Sequence, residues 1–188
     1  MEPLAGSTSL ALVRHPRSRS QATGRIEVAV GTRPGGILSV TFVLDADFSC
    51  LKIPESRASR RGEHLWQHTC FEVFAGGGEG TGYREFNFSP SGEWAAYRFR
   101  GYRDGGELEL DTAPRIAIQR NRECLTLDAD IAPACLPQGC TLQLGLSAVL
   151  EDVDGLLSYW ALRHPPGKPD FHHIDAFALQ LELPECMN

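Results

Sequence analysis

No run of this 188-residue sequence is long and apolar enough to span a bilayer, and no long amphipathic helix can be traced in it. The first absence argues against a membrane partner, and the second against an α-helical or α/β fold. Basic residues are in the minority, 18 Lys and Arg against 24 Asp and Glu, for a net charge of −6. Phosphate-backbone binders normally carry a basic stripe, so a nucleic-acid partner is not expected. The one basic stretch, "RHPRSRSQATGR" at 14–25, has no aromatic residue and no apolar periodicity, and reads as a solvated loop. Before its short apolar run the N-terminus has an acidic second residue and no Lys or Arg, a poor export signal that makes cytoplasmic residence the default expectation.

Signatures of chemistry are missing as well. The sequence has no Gly-x-Ser-x-Gly elbow and no His-Glu-x-x-His zinc motif. The glycines within 76–80 have neither dinucleotide spacing nor a Lys-Ser/Thr ending, so they predict a loop tip and not a phosphate cradle. Six cysteines (Cys50, Cys70, Cys124, Cys135, Cys140, Cys186) permit bridges, but a chain of this length does not need them. Cys70 and Cys124 fall in strand-like runs and read as small buried hydrophobes, while the Cys135–Cys140 spacing matches neither a redox nor a zinc motif.

What the chain does have is alternation. Candidate strands are 9–13, 25–30, 37–45, 50–53, 70–75, 84–89, 93–99, 115–120, 124–131, 141–151, 157–163 and 177–183, separated by turns rich in Gly, Pro and Asp. Only "DIAPACL" suggests a short helical turn, limited by Pro133. This pattern predicts one all-β domain over residues 1–188, a two-sheet antiparallel β-sandwich of immunoglobulin-like or jelly-roll-like topology.

The stretch "YREFNFSPSGEWAAYRFRGYR" at 83–103 alternates, turns at Ser-Pro-Ser-Gly and alternates again, which predicts a hairpin. Arg84, Phe86 and Phe88 share one face of its first strand, and Tyr83, Glu85 and Asn87 the other. Packing Phe86, Phe88, Tyr97 and Phe99 into the core leaves Tyr83, Glu85, Asn87, Trp94 and Arg98 together on the outer side. If the strand "CFEVFA" pairs with this hairpin, Glu72 falls near Glu85. Aromatic rings cover the C–H face of a sugar while Glu, Asn and Arg bond its hydroxyls, so the row suits a saccharide. Its plain alternative is a solvated face of cross-strand pairs, and a domain serving only as an interaction scaffold.

Two stretches, "HLWQHTCFEVFAGGGEGTGYREFNFSPSGEWAAYRFRGYR" and "LLSYWALRHPPGKPDFHHIDAFALQLEL", resemble the DOMON-like proteins of the type 9 carbohydrate-binding-module superfamily, over about residues 10 to 183. The resemblance implies a β-sandwich with a cavity or concave face used for sugars or haem. It places Trp66, Glu72, Glu85, Asn87 and Trp94 on motif positions, with Trp66 as a sugar-stacking residue or a hydrophobic lid. Haem is the cofactor alternative. The haem-binding branch uses a methionine with a histidine or lysine, and this chain has only the terminal Met1 and Met187, which leaves bis-histidine ligation.

The expected function is therefore non-catalytic binding of a small ligand such as a saccharide, without cofactor or metal. His64 and His68 flank Trp66. The stiff loop "HPPGKPDFHH" can hold His164, Lys168, Asp170, His172 and His173 around a site, or be an ordered crossover. The binding residues expected are Trp66, Glu72, Tyr83, Glu85, Asn87, Trp94, Arg98 and His164. A glycosidase-like use of Glu72 and Glu85 is the enzymatic alternative.

Overall fold

The computed structural model describes residues 5–20, 22, 24–77 and 80–183. Met1, Met187, Cys186 and, at the 76–80 loop tip, Gly78 and Glu79 lie outside the described residues. Fourteen strands are described: β1 (Ala5–Ala11), β2 (Val13–Arg14), β3 (Gly24–Arg33), β4 (Ile37–Ala46), β5 (Arg60–Arg61), β6 (Cys70–Gly77), β7 (Tyr83–Phe88), β8 (Glu93–Gly101), β9 (Asp104–Glu107), β10 (Arg115–Arg120), β11 (Cys124–Ile131), β12 (Thr141–Glu151), β13 (Leu157–Ala161) and β14 (Leu179–Glu182). The 50–53 run forms only the isolated bridge Leu51–Asp152, whereas β5 and β9 lack an alternating signal in sequence.

The strands form a two-sheet β-sandwich, as their alternation predicts. One sheet runs β1-β3-β4-β11-β10; the other runs β2-β13-β12-β6-β7-β8-β5, with β14 joined to β12 and β9 to β8. All strand pairs are antiparallel except the short β5–β8 contact. Between the sheets lies one core, with Ile26, Val28, Val40, Phe42 and Leu127 from the first and Phe71, Val73, Phe86, Phe88 and Leu146 from the second. Strand β11 shows the one-sided pattern of a half-buried strand, but β6 is buried at every position from Cys70 to Gly76. Such two-sided burial means the outer face of the larger sheet is also covered, and the covering forms the site described below.

The β7–β8 hairpin corrects one expectation. Ser89 and Glu93 close it through the bond Ser89 N–H to the Glu93 carbonyl (2.9 Å), and Gly92 N–H returns to the Ser89 carbonyl (2.9 Å). Gly92 sits at φ 94°, the left-handed position that ends a three-residue loop of this kind. With an odd number of residues in the loop, even positions pair with even ones: Phe86 with Ala96, Phe88 with Trp94 and Arg84 with Arg98. Trp94 therefore packs in the core with Phe86 and Phe88, its ring 5.7 Å from the Arg61 guanidinium. Arg98 follows Trp94 onto that face and is exposed beyond the core. Tyr97 and Phe99, expected in the core, lie instead on the outer face with Glu85 and Tyr83.

Cys70 is buried, Cys124 half-buried, and Cys50, Cys70, Cys124 and Cys135 are free thiols. Cys140 is disulfide-bonded, against the expectation that the chain needs no bridge. Among the described residues no helix is long and apolar enough to cross a membrane.

Candidate functional site

On the outer face of the larger sheet, cross-strand pairing lines up side chains in rows. One row reads Ala161, Ser147, Glu72, Asn87, Ala95 across β13, β12, β6, β7 and β8; the next reads Gly145, Phe74, Glu85, Tyr97. Glu72 and Glu85 are thus diagonal neighbours on adjacent strands, as their strand pairing predicts.

Three segments rise over this face. The 3-10 turn Leu65–Gln67 is anchored by buried Leu65 against Cys70 and Ala95, which holds Trp66 outward at 47% exposure. The β8–β9 turn brings in Arg103, in left-handed conformation at φ 54°. Residues 162–178 fold back along the sheet, bringing Phe171, His172 and Phe177 down onto Phe74 and Tyr83. Gly145 permits this approach: a Cβ there would stand 3.3 Å from both the Ala176 carbonyl oxygen and Phe74 Cβ.

These segments enclose a cavity of about 480 Å³. Its polar lining comprises Gln67, Glu72, Glu85, Arg103 and His172; its aromatic lining comprises Trp66, Tyr97, Phe99, Tyr159 and Phe171, with Val149, Leu157 and Pro169 completing the wall. This is the size and mixed character of a small-molecule pocket.

Both carboxyls are buried, Glu72 at 2% and Glu85 at 4% exposure. Glu85 Oε1 accepts from Asn87 Nδ2 (2.9 Å), and Glu72 Oε2 accepts from Ser147 Oγ (3.4 Å). Burial pushes Glu72 well above the usual carboxylate range, with the Glu85 charge adding to the rise. Burial likewise raises Glu85 to about 7, against the opposing pull of the Asn87 bond and the Arg103 charge. Asn87 is fully buried, and its Oδ1 has no hydrogen-bond partner.

A relay of hydrogen bonds fixes His172. Arg103 N–H donates to Tyr83 Oη (3.1 Å), and Tyr83 Oη is hydrogen-bonded to His172 Nδ1 (2.8 Å). The other ring nitrogen, Nε2, faces Glu85 Oε2 at 3.7 Å. Burial, with Arg103 nearby, lowers His172 to about 4, so the ring is neutral at physiological pH. Asp170 ties the rim together, accepting from Tyr102 Oη (2.6 Å) and Arg103 Nη2 (3.0 Å).

Of the residues expected from sequence, the cavity gathers Trp66, Glu72 and Glu85, with Tyr83 and Asn87 immediately behind them. Trp94 and Arg98 belong to the opposite face. His164 lies apart from the cavity: its Nε2 donates to the Val13 carbonyl (2.7 Å) and its ring packs edge-on against His15, so it pins the loop to β2. His68 turns away to Glu151 (2.7 Å). The loop's cavity residues are Pro169, Phe171 and His172, while Lys168 is exposed. Sequence reasoning missed Tyr97 and Phe99 through the register error, and Tyr159, Phe171 and Arg103 altogether; the polar Ser147 within the apolar run Leu144–Leu150 was the one overlooked signal. Among the described residues no group of three or more His, Cys, Asp or Glu is arranged to hold a metal.

No family model matches the chain, and no curated protein sequence matches it. Solved structures do. A "putative carbohydrate-binding protein" from Bacteroides uniformis superposes with a TM-score of 0.71 at 12% identity, over 95% of this chain and 87% of that one. A carbohydrate-binding module of family 9 from Caldicellulosiruptor kristjanssonii, in complex with glucose, gives 0.52 at 12% identity, over 89% and 79%. The same module with cellotriose gives 0.52 at 12% identity, over 93% and 82%. The chain is similar in fold to these carbohydrate-binding proteins. At this identity the likeness concerns the architecture alone.

Proposed function

We propose that the cavity binds a small saccharide without transforming it. The reading is carried by one juxtaposition: aromatic side chains, Trp66 the most exposed, line the same cavity as buried carboxyl groups able to bond hydroxyls. Burial favours the protonated form of Glu85 and Glu72, in which a carboxyl donates as well as accepts, and this suits a hydroxyl ring. Glucose and cellotriose bound to a protein of the same architecture support the choice of ligand class. The likeness does not extend to the DOMON-like branch in particular, and the cavity chemistry stands without it.

A glycosidase keeps one of its two carboxyls ionised and the other protonated. Glu72 and Glu85, bonded by the neutral donors Ser147 Oγ and Asn87 Nδ2, are read here as binding groups; turnover of an aryl glycoside, lost in both Glu72→Gln and Glu85→Gln, would replace binding with hydrolysis. Haem is disfavoured by the ring nitrogens of His172, the one histidine lining the cavity: Nδ1 is taken by Tyr83 and Nε2 faces Glu85.

Calorimetry and thermal shift against glucose, cellobiose, cellotriose and a panel of other hexoses and pentoses test the reading, with a haem titration alongside. Saturable binding is expected, weakened about tenfold by Trp66→Ala through loss of one aromatic contact, and no Soret band is expected. Absence of binding across the whole panel would remove the saccharide reading. A stoichiometric Soret band lost in His172→Ala would replace it with haem.

A further inference from the structure

We infer that the ligand carries a positively charged amine, so that an amino sugar with a free ammonium group is the class of saccharide this cavity takes. The inference rests on the saccharide reading above and adds the charge. Glu72 and Glu85 reach the cavity from a buried floor, and each is bonded only by a neutral group, Ser147 Oγ and Asn87 Nδ2 respectively. No hydrogen bond reaches Glu72 Oε1 or Glu85 Oε2 from the described residues; the nearest group to the latter is His172 Nε2 at 3.7 Å, on a ring whose other nitrogen is committed to Tyr83. Arg103 is the cation lining the cavity, and its Nη2 is bonded to Asp170 at 3.0 Å.

Two buried carboxyls thus face an aromatic-lined space without a cation bonded to either. An ionised carboxylate in such a place is unfavourable unless a positive partner is bound with it. An ammonium group supplies that partner, and the aromatic rings around it add cation–π attraction. A neutral sugar gives hydroxyl donors but leaves the carboxyls to hold their protons.

Binding is then linked to pH through Glu85. The groups facing it are Cys70 and Glu72 from β6, Tyr83 from its own strand, Tyr97 from β8, Arg103 from the β8–β9 turn and His172 from the returning loop. Arg103 carries charge throughout the neutral range, and His172 is neutral above about pH 4. The titration between pH 5.5 and 7 is therefore that of Glu85. Seating the ammonium expels a proton from Glu85, so affinity rises with pH over that interval by up to about tenfold per unit.

Calorimetry with glucosamine, glucose and N-acetylglucosamine at pH 5.5 and 7.0, each in two buffers of different ionisation heat, is the test. Glucosamine is expected to bind at least tenfold tighter than the other two, to release protons, and to lose its pH slope in Glu85→Gln. Equal affinities for all three sugars would overturn the amine inference and leave the saccharide reading standing. Binding by none of them, nor by any sugar of the broader panel, would overturn both. Glucosamine binding without proton release or pH slope in the unaltered protein would also overturn it.

Discussion

Phe86 and Phe99 lie on adjacent strands but on opposite faces of one sheet, and they contribute differently. Phe86 is fully buried between the sheets, and Phe86→Ala is expected to lower stability by about 3–5 kcal/mol in a urea titration. Phe99 is half-buried and stacked on Tyr83, with ring centroids 4.7 Å apart and planes 11° from parallel. Phe99→Ala should lower stability less, with about 1 kcal/mol of it from the lost stacking, while weakening ligand binding, because that ring also lines the cavity. Equal losses from the two variants would contradict the two-sided packing described for β7 and β8.

At the scale of the element, the β7–β8 loop decides which side chains meet the ligand. Its closing glycine, Gly92, has φ 94°, and a Cβ there would lie 3.0 Å from the Arg57 carbonyl oxygen. Gly92→Ala is therefore expected to destabilise the protein by about 1–2 kcal/mol, from left-handed backbone strain together with that contact. Chemical denaturation measures it; an unchanged midpoint would show that the loop closes in another way. The consequence of loop length is larger than that of strain. One residue more or fewer would turn Tyr97 and Phe99 inward and Trp94 outward, since a strand's faces alternate with period two.

For the molecule as a whole, the buried site gives stability a pH dependence with opposing parts. Glu85 is raised from 4.5 to about 7, so the folded state holds a proton that the unfolded chain releases. Its contribution is full below pH 4.5 and is lost as pH rises through 7, an effect of about 3 kcal/mol. Glu72, raised by the same burial, adds to the alkaline loss. His172 is lowered from 6.5 to about 4, so its contribution is full above 6.5 and is lost as pH falls through 4. Between pH 4.5 and 6.5 the Glu85 and His172 slopes oppose each other. Glu85→Gln should therefore become more favourable, relative to the unaltered protein, by about 3 kcal/mol between pH 4 and pH 8. Urea unfolding of both proteins at the two pH values checks this, and a constant difference would mean that Glu85 titrates in the fold as it does in an unfolded chain.

Alternation alone determined most of the architecture: β10, β11 and β12 begin and end where the sequence pattern does, and the sandwich follows from many short strands without helices. Local pattern also placed Glu72, Glu85 and Asn87 on one face, because that needs only the period of each strand and a pairing between neighbours. It could not decide the pairing parity of β7 and β8. Period two assigns two faces to every strand, and only the bonds closing the Ser89–Glu93 loop say which face of one meets which face of the other. Nor could it show that the outer face bearing Glu72, Glu85 and Asn87 is covered. The lids come from the Leu65–Gln67 turn, the β8–β9 turn and residues 162–178, segments distant in sequence and without periodicity, which converge only when the chain packs. The unusual states of Glu72, Glu85 and His172 arise from that covering, because burial is the leading cause of each shift and burial is a property of the tertiary structure.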